Sequence, residues 1–140
     1  MFNEKYNEQM NAYFDKVRDY LLELDFSIIS QDAEEGILVV EKEDEGMKNV
    51  VLIVSDPIVI VEQFLFELTD ESLEVYKRLL IKNRDIIHGA FAIDESGKKV
   101  FFRNTHECEN LDLNEIEATL NALALLLSEY TNEIIEFSKK

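Results

Sequence analysis

The stretch LLIKNRDIIHGAFAIDESGKKVFFR, from Leu79 to Arg103, contains the clearest structural signals in the chain. Its first residues read as the last turns of a helix, and Asn83 is a residue type suited to a helix end. Gly89 then allows a sharp turn into a short apolar strand, Ala90–Ile93. The letters DESG form a hairpin turn, and Val100–Arg103 returns as the partner strand. The stretch therefore predicts a helix that leads into an antiparallel hairpin.

The helix that ends in this stretch is the second of the chain, and the sequence predicts three strands before it. The helix is expected over 71–83, with an apolar stripe of Leu73, Tyr76, Leu79 and Leu80. The strands are rich in β-branched and aromatic residues: Ile37–Val40, Val50–Val54 and Ile58–Leu68. Their connections, EDEGMKN and SDP, are too short for parallel crossovers, so we predict an antiparallel meander.

Two of these strands, with the runs VVLIV and IVIV, are apolar at successive positions and therefore on both faces. Such runs are typical of a sheet that is covered on both sides. We expect helices of this chain to cover one face, and a second subunit or a client polypeptide to cover the other.

Long amphipathic helices are predicted at the two ends of the chain. The first spans Phe2 to Leu24, with an apolar stripe that includes Tyr6, Met10 and Leu21. The last begins at Asp112, which has the spacing of a capping box with Glu115. The predicted order is therefore α-β-β-β-α-β-β-α: a single α+β domain over 1–140, with a three-strand meander plus a hairpin and three helices.

Composition narrows the classes of partner. The chain has 30 acidic and 14 basic side chains, a formal net charge of −16. We therefore expect no binding to nucleic acid or to an anionic membrane surface. The first ten residues lack the pattern of a signal peptide, the longest apolar runs are too short to span a bilayer, and the single Cys108 excludes an intrachain disulfide. We expect a cytoplasmic protein in a bacterial cell.

The sequence offers no catalytic constellation. The letters THECE place His106, Glu107, Cys108 and Glu109 side by side, but zinc ligands normally come in spaced pairs. His88, beside Gly89, is expected to have a structural role. The sequence contains no phosphate-binding or nucleophile motif of the common types. We therefore predict a protein that is not an enzyme, with no catalytic residue and no bound metal or cofactor.

The stretch that begins at Leu79, with the following ENLDLNEIEATLNALALLLSEYTNEI, resembles the YbjN-like family, which has the fold of class I type III secretion chaperones. The matching residues are Leu79, Leu80, Asn83, Gly89, Asp94, Gly97, Leu111 and Asp112. The resemblance implies a non-enzymatic, dimeric, chaperone-like or adaptor protein that binds other polypeptides. An alternative from another class is an acidic inhibitor or immunity protein that masks a basic enzyme surface.

The resemblance also implies that the second helix and the strand after it pair two subunits. The expected homodimer face consists of Leu73, Val75, Tyr76, Leu79, Leu80, Ala90 and Phe91. A competing interpretation is that the leucines are used entirely in the core of this chain. Lys77, Arg78, Lys82 and Arg84 give the face a local positive charge that can meet acidic groups of a second subunit.

Overall fold

The computed structural model describes residues 2–69 and 73–138, without the side chains of residues 2–7, 134, 135, 137 and 138. The elements in chain order are helix α1 (Phe2–Glu23), strand β1 (Ser27–Asp32), strand β2 (Ile37–Lys42), a short 3-10 turn (Glu43–Glu45), strand β3 (Met47–Ser55), strand β4 (Ile58–Glu67), helix α2 (Leu73–Asn83), strand β5 (Ala90–Ile93), strand β6 (Lys99–Glu107) and helix α3 (Leu113–Ser138). None of the described helices is long and apolar enough to cross a membrane. Glu71, which was expected to open the second helix, lies outside the described residues.

All six strands form one antiparallel sheet in the order β1-β2-β3-β4-β6-β5. The predicted α+β class, the three helices and the hairpin are confirmed. The predicted three-strand meander is wrong by one strand, because Ser27–Asp32 pairs with β2 and adds a fourth. The sequence SIISQD is mostly polar, and five of its six residues are exposed, so it lacks the apolar content that identified the other strands.

The register of the sheet separates two faces with different environments. Leu38, Leu52 and Val61 are direct neighbours across β2, β3 and β4, and each is completely buried. Ile37, Ile53 and Ile60 form the adjacent row, on the opposite face, and are only partly buried. One face therefore contributes to the core, and the other does not.

The three helices pack against the same face of the sheet. Helix α1 contributes Phe14 and Leu21 to the core, and α3 contributes Ile116, Leu120 and Leu123. Helix α2 packs beside β5, with Val75 and Leu79 buried. Apolar burial of this kind contributes roughly 1.5–3 kcal/mol per large side chain, so the contact between the helical layer and this sheet face stabilises the fold substantially.

The turn that joins α2 to β5 is fixed by side-chain and backbone contacts. The side-chain nitrogen Nδ2 of Asn83 donates to the backbone carbonyl of Phe91 at 3.2 Å. The side-chain oxygen Oδ1 of Asn83 accepts from the backbone N–H of Phe91 at 2.7 Å. Gly89 has φ +96°, and a Cβ at this position would lie 2.4 Å from the ring of Phe102. Both features confirm that the opening stretch of the sequence is a helix end followed by a tight turn into a hairpin.

Candidate polypeptide-binding surfaces

The uncovered face of the sheet, called here the open sheet face, is mostly apolar. Its apolar residues include Ile37, Val39, Val51, Ile53, Ile60, Phe64, Ala92 and Phe101. Phe64 is 48% exposed, and its ring meets that of Phe101 edge to face, with 5.6 Å between the centroids. No described helix packs over this face. Exposed apolar surface of this kind is typical of a protein-binding site.

One ion pair interrupts the apolar rows. Arg103 donates to Glu62 at 2.9 Å from the neighbouring strand. Along β4, Glu62 lies two residues after Ile60 and two before Phe64, so its charge stands between two apolar rows. An exposed pair contributes only about 0–1 kcal/mol to stability.

The seven residues predicted for the homodimer face separate into four environments. Four of them surround a small groove of about 130 Å³ between α2 and β5: Tyr76, Leu79, Leu80 and Phe91. Leu73 lies on another side of α2 beside Ile81, and Ala90 lies opposite Arg103 on the open sheet face. Val75 is completely buried in the core of the chain itself.

Within this predicted face, exposure differs sharply between residues. Leu79 and Phe91 are only 4% and 7% exposed, whereas Leu80 is 69% exposed. The hydroxyl of Tyr76 donates to the carbonyl of Gly97 at 2.5 Å, which ties α2 to the hairpin turn. The groove also includes Ile93, which is 50% exposed and was not among the predicted residues. Only Leu80 and Ile93 therefore present substantial apolar area to a partner at this groove.

The sequence analysis also missed the aromatic pair of the open sheet face. Phe64 lies in a run, QFLFEL, that is apolar at successive positions, and a bulge between Phe64 and Phe66 changes which residues face the core. The neighbouring residues Phe101 and Phe102 could have indicated the pair. Successive side chains of a strand point to opposite faces of the sheet, so one of these two rings must face away from the core.

The residues of THECE are held in structural contacts. The ring of His106 lies against Thr119 of α3, with 2.8 Å between Nε2 and Oγ1, and its Nδ1 is 3.6 Å from a carboxylate oxygen of Glu115. Burial lowers the pKa of His106, an effect opposed by Glu115 and reinforced by His88. Burial raises the pKa of the Cys108 thiol, which disfavours a reactive thiolate. Among residues 2–69 and 73–138, no three His, Cys, Asp or Glu side chains are grouped to hold a metal ion.

Comparison with known proteins relates the chain to a family and a fold. The CesT_Tir_1 family model matches residues 10–140. Among solved structures, E. coli YbjN is 11% identical, with a TM-score of 0.62 over 85% of this chain and 91% of that one. A chain of the HopA1–SchA chaperone–effector complex is 10% identical, with a TM-score of 0.60 over 93% of this chain and 96% of that one. A chain of the ExsC–ExsE complex is 20% identical, with a TM-score of 0.58 over 89% of this chain and 91% of that one. No curated protein sequence matches the chain.

Proposed function

This chain belongs to the CesT_Tir_1 family of type III chaperones, and from that premise we propose that it binds a segment of another polypeptide without catalysis. The open sheet face is the proposed client surface. Family membership supports the chaperone-like role, and we extend it to a cytoplasmic, homodimeric protein. The known complexes of similar fold, HopA1–SchA and ExsC–ExsE, are consistent with this role.

The observation that carries the proposal is the difference between the two faces of the sheet. Helices bury most of one face, whereas the other keeps a row of half-buried isoleucines and the exposed Phe64. Covering apolar area yields about 25 cal/mol per Å², so a segment laid across these rows gains affinity without any special chemistry. A client polypeptide with apolar side chains facing the sheet fits this surface.

The proposed homodimer uses the groove between α2 and β5. Leu80 and Ile93 supply its exposed apolar area, and the buried Leu79 and Phe91 form its floor. This proposal leaves the open sheet face free for the client, because α2 lies on the opposite side of the sheet.

Site-specific photo-cross-linking tests the client surface. A photoreactive phenylalanine analogue at Phe64, introduced into the full chain in its native cell, should capture one contiguous segment of one larger protein. The matched control carries the same analogue at Leu22, which is 51% exposed on α1, a helix that packs on the other side of the sheet. We expect no such product from the control.

The identified segment, made as a synthetic peptide, then measures the contribution of the surface. Phe64→Glu should weaken its binding at least about tenfold, or 1.4 kcal/mol, because it places a charge in the apolar contact. Cross-links scattered over unrelated proteins, or unchanged affinity of Phe64→Glu, contradict the proposed client surface. Capture of an intact basic enzyme instead supports the inhibitor alternative.

A further inference from the structure

A second apolar groove lies on the helical side of the molecule, away from the open sheet face. One wall is a stripe of α3, and the other is the loop between α2 and β5; we call the space between them the α3 groove. Its lining residues include Ile86, Ile87 and His88 of the loop and Ala118, Ala122 and Leu125 of α3. Its volume is about 240 Å³. This groove has no part in the client surface or the dimer groove proposed above.

Within residues 2–69 and 73–138, no segment covers the α3 groove. Ile87 is 89% exposed and Leu125 is 57% exposed. Ala118 and Ala122 have short side chains, so the space between the two larger residues stays open down to the helix surface. Two large apolar side chains that face solvent across a groove leave a favourable site for an apolar partner group.

The walls of the groove are held by contacts on both sides. Asn83 binds both backbone polar groups of Phe91, which fixes the two ends of the loop. Lys82 joins the end of α2 to α3 through an ion pair with Glu133 at 2.5 Å, and its ammonium lies 4.4 Å from the ring centroid of Tyr130. A groove that is already formed costs less conformational entropy on binding.

Charge selects the chemistry of the partner. Two exposed carboxylates, Asp85 and Glu129, line the groove, and among its described lining residues His88 is the one with an ionisable basic group. The chain as a whole carries a formal charge of −16. A segment with Lys or Arg beside its apolar residues is therefore attracted to the groove, and an acidic segment is repelled.

The dimensions favour a helix over a small molecule. The stripe from Ala118 to Glu129 follows three turns of α3, about 16 Å at 1.5 Å per residue. Small-molecule sites are usually larger, about 300–1,000 Å³, and more enclosed. We propose that the α3 groove binds a short, basic, amphipathic helix of a partner protein, whose apolar side chains enter between Ile87 and Leu125.

Binding of synthetic peptides to the full chain tests the proposal. The probe is a peptide of about 15 residues, long enough for partial helicity, with leucines at helical spacing and lysines elsewhere. One comparison peptide replaces the lysines with glutamates, and another replaces the leucines with serines. We expect the leucine–lysine peptide to bind at least about tenfold more tightly than either, with nuclear magnetic resonance shift changes centred on Ile87, Ala122 and Leu125.

Paired variants distinguish peptide binding at the α3 groove from nonspecific attraction of a basic peptide to an acidic protein. Ala122→Trp fills the groove and should reduce affinity about tenfold, whereas Ala12→Trp, on an exposed position of α1, should leave it within twofold. Glu129→Lys should weaken binding more than Glu117→Lys, although both make the same change in net charge on the same helix. Ile87→Ser removes an exposed side chain without touching the core, so it tests the groove even where Ala122→Trp is unstable.

Each outcome decides the proposal. Equal effects within the two pairs, or shift changes centred on Phe64 of the open sheet face, overturn it. Equal binding of the glutamate peptide overturns the assignment of a basic partner. Loss of affinity in Ala122→Trp and Ile87→Ser, with normal affinity in Phe64→Glu, supports the α3 groove independently of the proposed client surface.

Discussion

The side chain of His106 is buried beneath helix α3 and contacts Thr119 of that helix. The side chain of His106 is 8% exposed, and the hydroxyl of Thr119 accepts a hydrogen bond from Asn104 at 2.9 Å. That hydroxyl is then free to donate its proton to Nε2 of His106, which directs the proton of the neutral ring to Nδ1, toward Glu115. The site is therefore built for the uncharged imidazole.

We predict that His106 lowers the free energy of unfolding in mild acid. The pKa of His106 is lowered in the folded protein, chiefly by burial, while that of an unfolded histidine is about 6.5. The unfolded state thus takes up a proton first, so stability is unaffected above about pH 6.5 and falls as the pH decreases from there through the folded pKa. Glu115 opposes this shift and His88 adds to it.

The measurement is the free energy of unfolding in denaturant from pH 7.5 to pH 5. His106→Gln should cost about 1 kcal/mol at pH 7.5, from the altered hydrogen bond, and should lose less stability than wild type as the pH falls. Protonation of Asp and Glu side chains affects wild type and His106→Gln alike, so it cancels when their unfolding free energies are subtracted. His88→Gln, at an exposed position, is the control and should keep most of the decline. Parallel pH profiles for wild type and His106→Gln contradict the prediction.

Gly89 combines a left-handed backbone with a close contact. Its φ is +96°, and an added Cβ would lie 2.4 Å from the buried ring of Phe102. Gly46 has φ +78° with no atom within 4 Å of such a Cβ, so it isolates the backbone effect. We expect Gly46→Ala to cost about 1 kcal/mol and Gly89→Ala an additional 1–3 kcal/mol from overpacking. Equal unfolding free energies for the two variants contradict the clash.

At the scale of elements, strong local patterns were predictable and weak ones were not. Helix α3 begins directly after Asp112, the predicted capping residue, whose carboxylate accepts a hydrogen bond from the backbone N–H of Glu115 at 2.8 Å. Strand β1 was missed, because its pairing with β2 at the sheet edge uses backbone groups and leaves most of its side chains in solvent. Edge strands of this kind carry little periodic signal, so the topology differed from the prediction by this strand.

The assignment of apolar residues to faces was also only partly predictable. The apolar runs of β3 and β4 correctly indicated two apolar faces, and the structure shows the helices on one of them. The stripe of α2 predicted a single interacting face, yet Val75 and Leu79 pack on this chain and Leu80 points to solvent. Helical spacing groups residues on one side of a helix, but it does not distinguish the subunit's own core from a partner surface.

At the scale of the whole molecule, net charge acts against the proposed dimer. Two subunits of charge −16 repel each other, and the repulsion is long-ranged when salt is low. Two of the basic side chains of α2, Lys77 and Arg78, lie beside Leu73, while Lys82 is paired with Glu133 of its own chain. Local ion pairs at a rim contribute about 0–1 kcal/mol each, so apolar burial at Leu80 and Ile93 must supply most of the affinity.

This balance predicts an unusual salt dependence. The Debye length shortens from about 30 Å at 0.01 M to about 3 Å at 1 M salt, which removes the repulsion and leaves apolar contacts intact. We therefore expect the dimer to become tighter as salt is added. Leu80→Glu should weaken it at least about tenfold at every salt concentration, while Leu22→Glu, the same change at an exposed position of α1, should not. Light scattering and sedimentation equilibrium measure the dissociation constant, and circular dichroism checks that both variants keep their helices. A monomeric wild type at high salt, or equal dissociation constants for the two variants, overturns this dimer face, because neither the repulsion nor the position of Leu80 then controls association.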